Sequence, residues 1–107
     1  MSRRRLQFVI AGVGEGRGMS AGRWYLNSKA DYRDFRSLNI SLDPWVVQQL
    51  KERNGIEIVD ELLGRSVRVQ GQTFRVPIHF ICEGRQAEAY YFQTQLPVEW
   101  MSQIELL

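Results

Sequence analysis

The chain has one cysteine, Cys82, and one histidine, His79, among its 107 residues. A single thiol excludes an internal disulfide and a cysteine-based zinc site. A single imidazole means that every Ser/His/Asp triad would have to be built on His79, and nothing in the spacing supports one. No stretch approaches the ~20 apolar residues that cross a bilayer. The opening MSRRRLQFVIAGVGEG joins arginines to an apolar run, but the run stops at Gly12 and meets Glu15, too short for the core of a secretory leader. Repeats and low-complexity tracts are also missing. These absences predict a non-enzymatic protein that needs no cofactor or metal and does not enter a membrane. Cys82 reads as the reduced thiol of a cytoplasmic protein.

What is present fits one soluble domain. Hydrophobic residues make up 44% and charged residues 24%, which excludes a fully disordered chain. At 12.5 kDa the whole of 1–107 reads as a single domain, with residues 1–5 as a flexible basic arm. Charge is unevenly placed. Residues 1–36 carry eight Arg and Lys against three acids, whereas 37–107 carry six against nine. Arginine outnumbers lysine 12 to 2. Planar guanidinium groups bind phosphate in a fork and stack on bases, which an ammonium does less well.

Periodicity predicts mostly strands. Leu6–Val13 is apolar and β-branched, and Arg23–Asn27 is rich in aromatics. Ser37–Leu42 alternates, with Leu38, Ile40 and Leu42 on one face and Ser37, Asn39 and Ser41 on the other. One helix is expected over 43–54: Asp43 can cap it, Pro44 suits its first position, and Asn54-Gly55 ends it. Val46, Val47 and Leu50 form its apolar stripe. Further strands follow at Arg65–Gly71, Thr73–Cys82 and Ala87–Thr94, with Pro77 read as an edge or a break, Leu96-Pro97 as a break and Glu83-Gly84-Arg85 as a turn. The end, from Glu99, reads as a helical turn and a last short strand. The predicted fold is mainly β: a five-stranded OB-like barrel, the helix between its third and fourth strands, and an extra C-terminal hairpin.

Three runs carry a family resemblance. YLNSKADYRDFRSLNISLDP (Tyr25–Pro44) resembles the "YLNF…DYR…DFT" stretch of bacterial OB-fold domains found beside staphylococcal-nuclease-like domains. LLGRSVRVQG (Leu62–Gly71) is similar to their "L-G-K-x-V-x-V-x-G" strand, and SQIELL (Ser102–Leu107) to their closing "QIEVL". Together these cover roughly a third of the chain, in the right order. The chain departs from the pattern between Gln72 and Met101, where it carries about 30 residues and the run FRVPIHF. The resemblance implies an OB fold and, by analogy with other OB domains, the handling of nucleic acid.

Candidate sites follow from residue type. GVGEGRG has its glycines at every second position and leads into a strand, so it is a mobile loop rather than a dinucleotide cradle. Trp24, Tyr25, Tyr32 and Phe35 stand among arginines, the mixture of a single-strand surface on which rings stack on bases and cations follow phosphates. Arg17, Arg23, Tyr25, Arg33 and Arg36 are the predicted nucleic-acid contacts. In a strand Arg23 and Tyr25 share a face, leaving Trp24 and Leu26 for the core. Tyr90, Tyr91 and Phe92 put aromatics on both faces of one strand and define an alternative, a contact patch for a protein partner. Tyr32 and Phe35 are read as plugs at the barrel end, and Trp45 and Trp100 as packing residues. Asp31/Asp34 and Asp60-Glu61 are ordinary turn carboxylates rather than Mg²⁺ ligands.

Overall fold

The computed structural model describes residues 2–31, 34, 36–82 and 85–107, with backbone alone at 2, 79–82 and 85–91. Its strands are β1 (Ser2–Val9), β2 (Gly12–Glu15), β3 (Trp24–Asn27), β4 (Leu38–Leu42), β5 (Ser66–Cys82), β6 (Arg85–Val98) and β7 (Ile104–Leu106). One helix, α1 (Pro44–Asn54), lies between β4 and β5. The hydrogen-bonded order is β1-β5-β6-β4-β3-β2, with β7 also on β5. All pairs are antiparallel except β4 with β6.

The mainly β architecture and the single helix agree with the sequence. The closed five-stranded barrel does not: there are seven strands among the described residues, and the path ends at β1 and β2. The cause is local. Ile10 turns into the core, where its N–H donates to the Arg65 carbonyl and its own carbonyl accepts from Gly64. Ala11 N–H then donates to Asn27. The chain thus leaves the edge of β5 and joins that of β3, which splits the predicted first strand in two. Residues 2–5, expected as a loose arm, lie in β1 opposite Gln70–Thr73, with Arg3, Arg4 and Arg5 exposed.

The extra hairpin is present but is not a separate unit. β5 and β6, 17 and 14 residues long, form it by pairing antiparallel, and they run on through Pro77 and Leu96-Pro97. Pro77 pairs with Phe92, and Pro97 with Ser41. The Glu83-Gly84 turn lies outside the described residues. So do Tyr32 and Phe35, the predicted end plugs.

Alternation fills the interior. Trp24 and Leu26 of β3, Ile40 and Leu42 of β4, Val67 and Val69 of β5, and Leu96 and Val98 of β6 are all buried. Val46, Val47 and Leu50 dock α1 on them. An 11-residue helix is marginal alone, and each fully buried aliphatic side chain contributes ~1.5–3 kcal/mol, so this docking holds the helix. Three side chains depart from expectation. Trp45 and Trp100 do not pack; they are 61% and 64% exposed, Trp45 because the buried stripe begins one residue later. Ser37, predicted to face out, is buried just before β4.

β5 needs one special position. Its first half pairs with β1 and β7 and its second with β6; Gly71, opposite Arg4 of β1, lies past the last β7 pair and three residues before the first β6 pair, at φ 156°. A Cβ there would lie 2.8 Å from Gln103 Nε2 and 3.3 Å from Leu96 Cδ2. Gln103 fills the gap where β5 and β6 part. Its Nε2 donates to the carbonyls of Gln70 (3.1 Å) and Pro97 (3.2 Å), and its Oε1 accepts from the N–H groups of Glu99 (2.8 Å) and Trp100 (3.1 Å).

The helix ends match the sequence. Asp43 Oδ1 accepts from Trp45 N–H at 2.9 Å, and Gly55 closes the C-terminus at φ 68° with its N–H on Lys51 O. Asp43→Ala should cost about 0.5–2 kcal/mol in chemical denaturation, and Gly55→Val should destabilise as well because valine resists positive φ. Gln103→Ala strips four backbone groups of their partner and should cost about 1–3 kcal/mol in the same assay; an unchanged midpoint would show that Gln103 does not hold β5 and β6 where they part.

Candidate functional site

The loop before β3 and the outer face of β3 and β4 build the candidate site. β3 places Trp24 and Leu26 inside, at 3% and 0% exposure, so Arg23 and Tyr25 turn outward together as period-two alternation requires. Tyr25 lies opposite Ser41 across the strand pair, and Asn27 opposite Asn39. In the loop, Arg17 precedes a short 3₁₀ turn over Gly18–Ser20, and Ser20 Oγ donates back to the Arg17 carbonyl at 3.0 Å. This folds the glycine-rich segment toward β3 and brings Arg17 beside the sheet.

Arg17, Arg23 and Tyr25 line one open concavity of about 410 Å³, together with Asn39 and Ser41 of β4 and Gln95 of β6. The floor is therefore polar strand surface with one phenol ring, and the rim carries Arg17 and Arg23 beside Ser20 and the exposed Met19. Arg23 is partly engaged: Nη1 donates to Ser41 Oγ at 3.3 Å and Nη2 lies 3.7 Å from Asp43 Oδ2. Asn39 Nδ2 donates to Asn27 Oδ1 at 2.6 Å, a buried pair that fixes the floor. Sequence reasoning named the rim and the ring but missed Asn39, Ser41 and Gln95 as site residues. The signal for the first two was the polar face of the β4 alternation; Gln95 stood in a segment read as ending at Thr94.

The other predicted contacts are not brought here. Arg36 is exposed and grips Asp34 in a fork, Nε to Oδ1 at 3.1 Å and Nη2 to Oδ2 at 3.0 Å, and it does not line the concavity. Arg33 lies outside the described residues. Of the alternative patch, Phe92 is 38% exposed with the Arg75 guanidinium 5.1 Å above its ring. The side chains of Tyr90 and Tyr91, like those of His79 and Cys82, lie outside the described residues. Carboxylates read as turn residues have turn roles: Glu61 Oε2 accepts from the backbone N–H groups of Glu57 (2.6 Å) and Ile58 (2.9 Å). Among the described residues no three His, Cys, Asp or Glu side chains gather to hold a metal, and no helix is long and apolar enough to cross a membrane.

No family model, curated protein or solved structure matches the chain.

Two carboxylates sit below their ordinary range. Hydrogen bonds from Arg36 lower Asp34, and backbone N–H groups lower Glu61. A depressed folded pKa stabilises fully above the unfolded value, ~4, and that contribution fades as pH falls through the lower folded value. Melting curves from pH 7 to pH 2 should show the gap between the parent and Asp34→Ala or Glu61→Ala open at neutral pH and closing below about pH 4. A gap that widened on acidification would contradict both hydrogen-bond assignments.

Proposed function

We propose that the domain is a non-catalytic, OB-like module that binds single-stranded nucleic acid on the face of β3, β4 and β6, under the Arg17 loop. The observation that carries this reading is the convergence of Arg17, Arg23 and Tyr25 on one open, polar concavity. Guanidinium groups at the rim neutralise phosphates without reading sequence, and an outward ring gives a base a surface to stack on. The floor amides and hydroxyl offer hydrogen bonds to base edges and sugars.

Topology supports the OB-like part. β1 and β2, the two ends of the path, are separated only by Ile10 and Ala11. Counted as one bent strand, they border β5 on one side and β3 on the other. The helix then follows the third strand, and the third and fifth strands (β4 and β6) run parallel. Such a partly open Greek-key arrangement binds oligonucleotides across its second and third strands and the loop joining the first two. In that count these are β3, β4 and the Arg17 loop.

A second reading has its own observation. Beyond Val76 and Gln93 the β5–β6 hairpin has no third strand among the described residues, so both outer edges of this ribbon are unpaired. Free edges recruit other chains, and two-stranded ribbons are marginal alone. This favours a protein partner docking at Tyr90, Tyr91 and Phe92.

Anisotropy titrations with labelled single-stranded DNA and RNA at two salt concentrations separate the readings. Phosphate-driven binding weakens steeply as salt rises. Arg17→Ala should weaken every sequence alike and reduce the salt slope by ~0.7, the value of one single-strand phosphate. Tyr25→Ala should cost ~1–3 kcal/mol with the slope intact. No affinity for any single strand at low salt would end the nucleic-acid reading and promote the ribbon.

A further inference from the structure

We infer that the binding face continues across β6 and β5 into a second stacking subsite, formed by Trp100 and Phe74, which takes a later base of the same single strand. This rests on the nucleic-acid reading above and extends it to a region the loop and β3 do not reach.

A second concavity of about 400 Å³ lies where β5, β6 and the chain end meet, with Phe74, Pro97, Trp100, Arg3, Glu99 and Gln103 among its walls. Two cross-strand pairs join it to the first. Ser41, in the wall of the first, pairs with Pro97, in the wall of the second. Gln95, in the first, pairs with Phe74, in the second. Residues directly paired on neighbouring strands point to the same face. Leu96 and Val98 are fully buried, so Gln95 and Pro97 are on the outside of β6 with Tyr25 and Ser41. The two hollows are parts of one surface, and no strand separates them.

Tyr25 on β3 and Phe74 on β5 stand three strand spacings apart, about 14 Å across the sheet, and are offset by two residues along the strands. Trp100 lies beyond Phe74. Its indole is 64% exposed, yet the backbone beneath it is held, because Gln103 Oε1 accepts from Trp100 N–H and Gln70 Nε2 donates to Ser102 O at 3.2 Å. A large ring kept in water on a fixed turn is a prepared stacking platform. Charge divides the labour between the hollows. The first has two arginines on its rim, whereas the second has Arg3 and Glu99 together and offers no net attraction for phosphate. The second subsite therefore adds stacking and little salt dependence.

Oligothymidylates of four, eight and twelve nucleotides test the inference on the whole chain. Trp100→Ala should bind the eight- and twelve-mers about ten-fold more weakly, leave the tetramer within about two-fold, and keep the salt slope. Tyr25→Ala should weaken all three lengths. Trp100→Phe keeps a ring, so affinity should survive while the quenching of tryptophan fluorescence by the twelve-mer disappears; Trp45→Phe should retain that quenching. Because Trp100 and Trp45 are exposed, Trp100→Ala, Trp100→Phe and Trp45→Phe should melt with the parent. If Trp100→Ala binds every length like the parent while Tyr25→Ala does not, or if quenching persists in Trp100→Phe, the second subsite is wrong and the first stands. If the parent binds no oligonucleotide, the nucleic-acid reading itself fails.

Discussion

The close approach of the Gln103 amide to β5 at Gly71 is the constraint on which this end of the sheet depends. One strand serves β1 and β7 with its first half and β6 with its second. Gly71 has to lack a Cβ, since that atom would strike Gln103 and Leu96. The Gln103 amide then satisfies four backbone groups, those of Gln70, Pro97, Glu99 and Trp100, where β5 and β6 part. An unpaired backbone group away from water costs about as much as a lost hydrogen bond, so glycine and glutamine here act as one device. The same device fixes the turn that presents Trp100.

Asp43 links the fold to the candidate site in a comparable way. One of its oxygens caps α1 and the other lies near the Arg23 guanidinium. The helix start therefore helps orient a rim cation. The pair is about one-third exposed on both sides, so water screens it and its energetic contribution is small; its effect is on where Arg23 points.

How much of this was legible depended on how local each signal was. The apolar face of the Ser37–Leu42 alternation, the Asp43-Pro44 start and the Asn54-Gly55 stop are properties of a few adjacent residues and appear in the structure; on the polar face Ser37 and Asn39 are nevertheless buried, the latter hydrogen-bonded to its neighbour Asn27. The outward turn of Tyr25 against the inward turn of Trp24 appears as read. The failures are positions whose meaning comes from a distant partner. Pro77 left an edge or a break open because proline lacks a donor, and only the pairing decides for the edge: β5 has no neighbour beyond Thr73 on the side away from β6 among the described residues. Pro97 lies past the last β5–β6 pair and gives its carbonyl to Gln103. Arg3, Arg4 and Arg5 resembled a loose arm, and only the edge of β5, some seventy residues on, makes them a strand. Trp100 was read as packing because large apolar residues are usually buried.

Arginine count overstated the cationic field, and pairing explains why. Arg36 is bound to Asp34, Arg23 lies beside Asp43, and Arg68 lies 3.7 Å from Glu105. Within the first hollow, Arg17 has no side-chain partner among the described residues, and Arg23 is only part-engaged. At the first hollow the cationic rim thus comes down to Arg17 and a part-engaged Arg23. A surface with so few available guanidinium groups releases few counterions when it meets a nucleic acid, and its phosphate contribution is correspondingly shallow. Rings must then supply a larger share of the affinity than in a strongly basic binder. Tyr25, Phe74 and Trp100, spread over one outward face, are the residues placed to supply it.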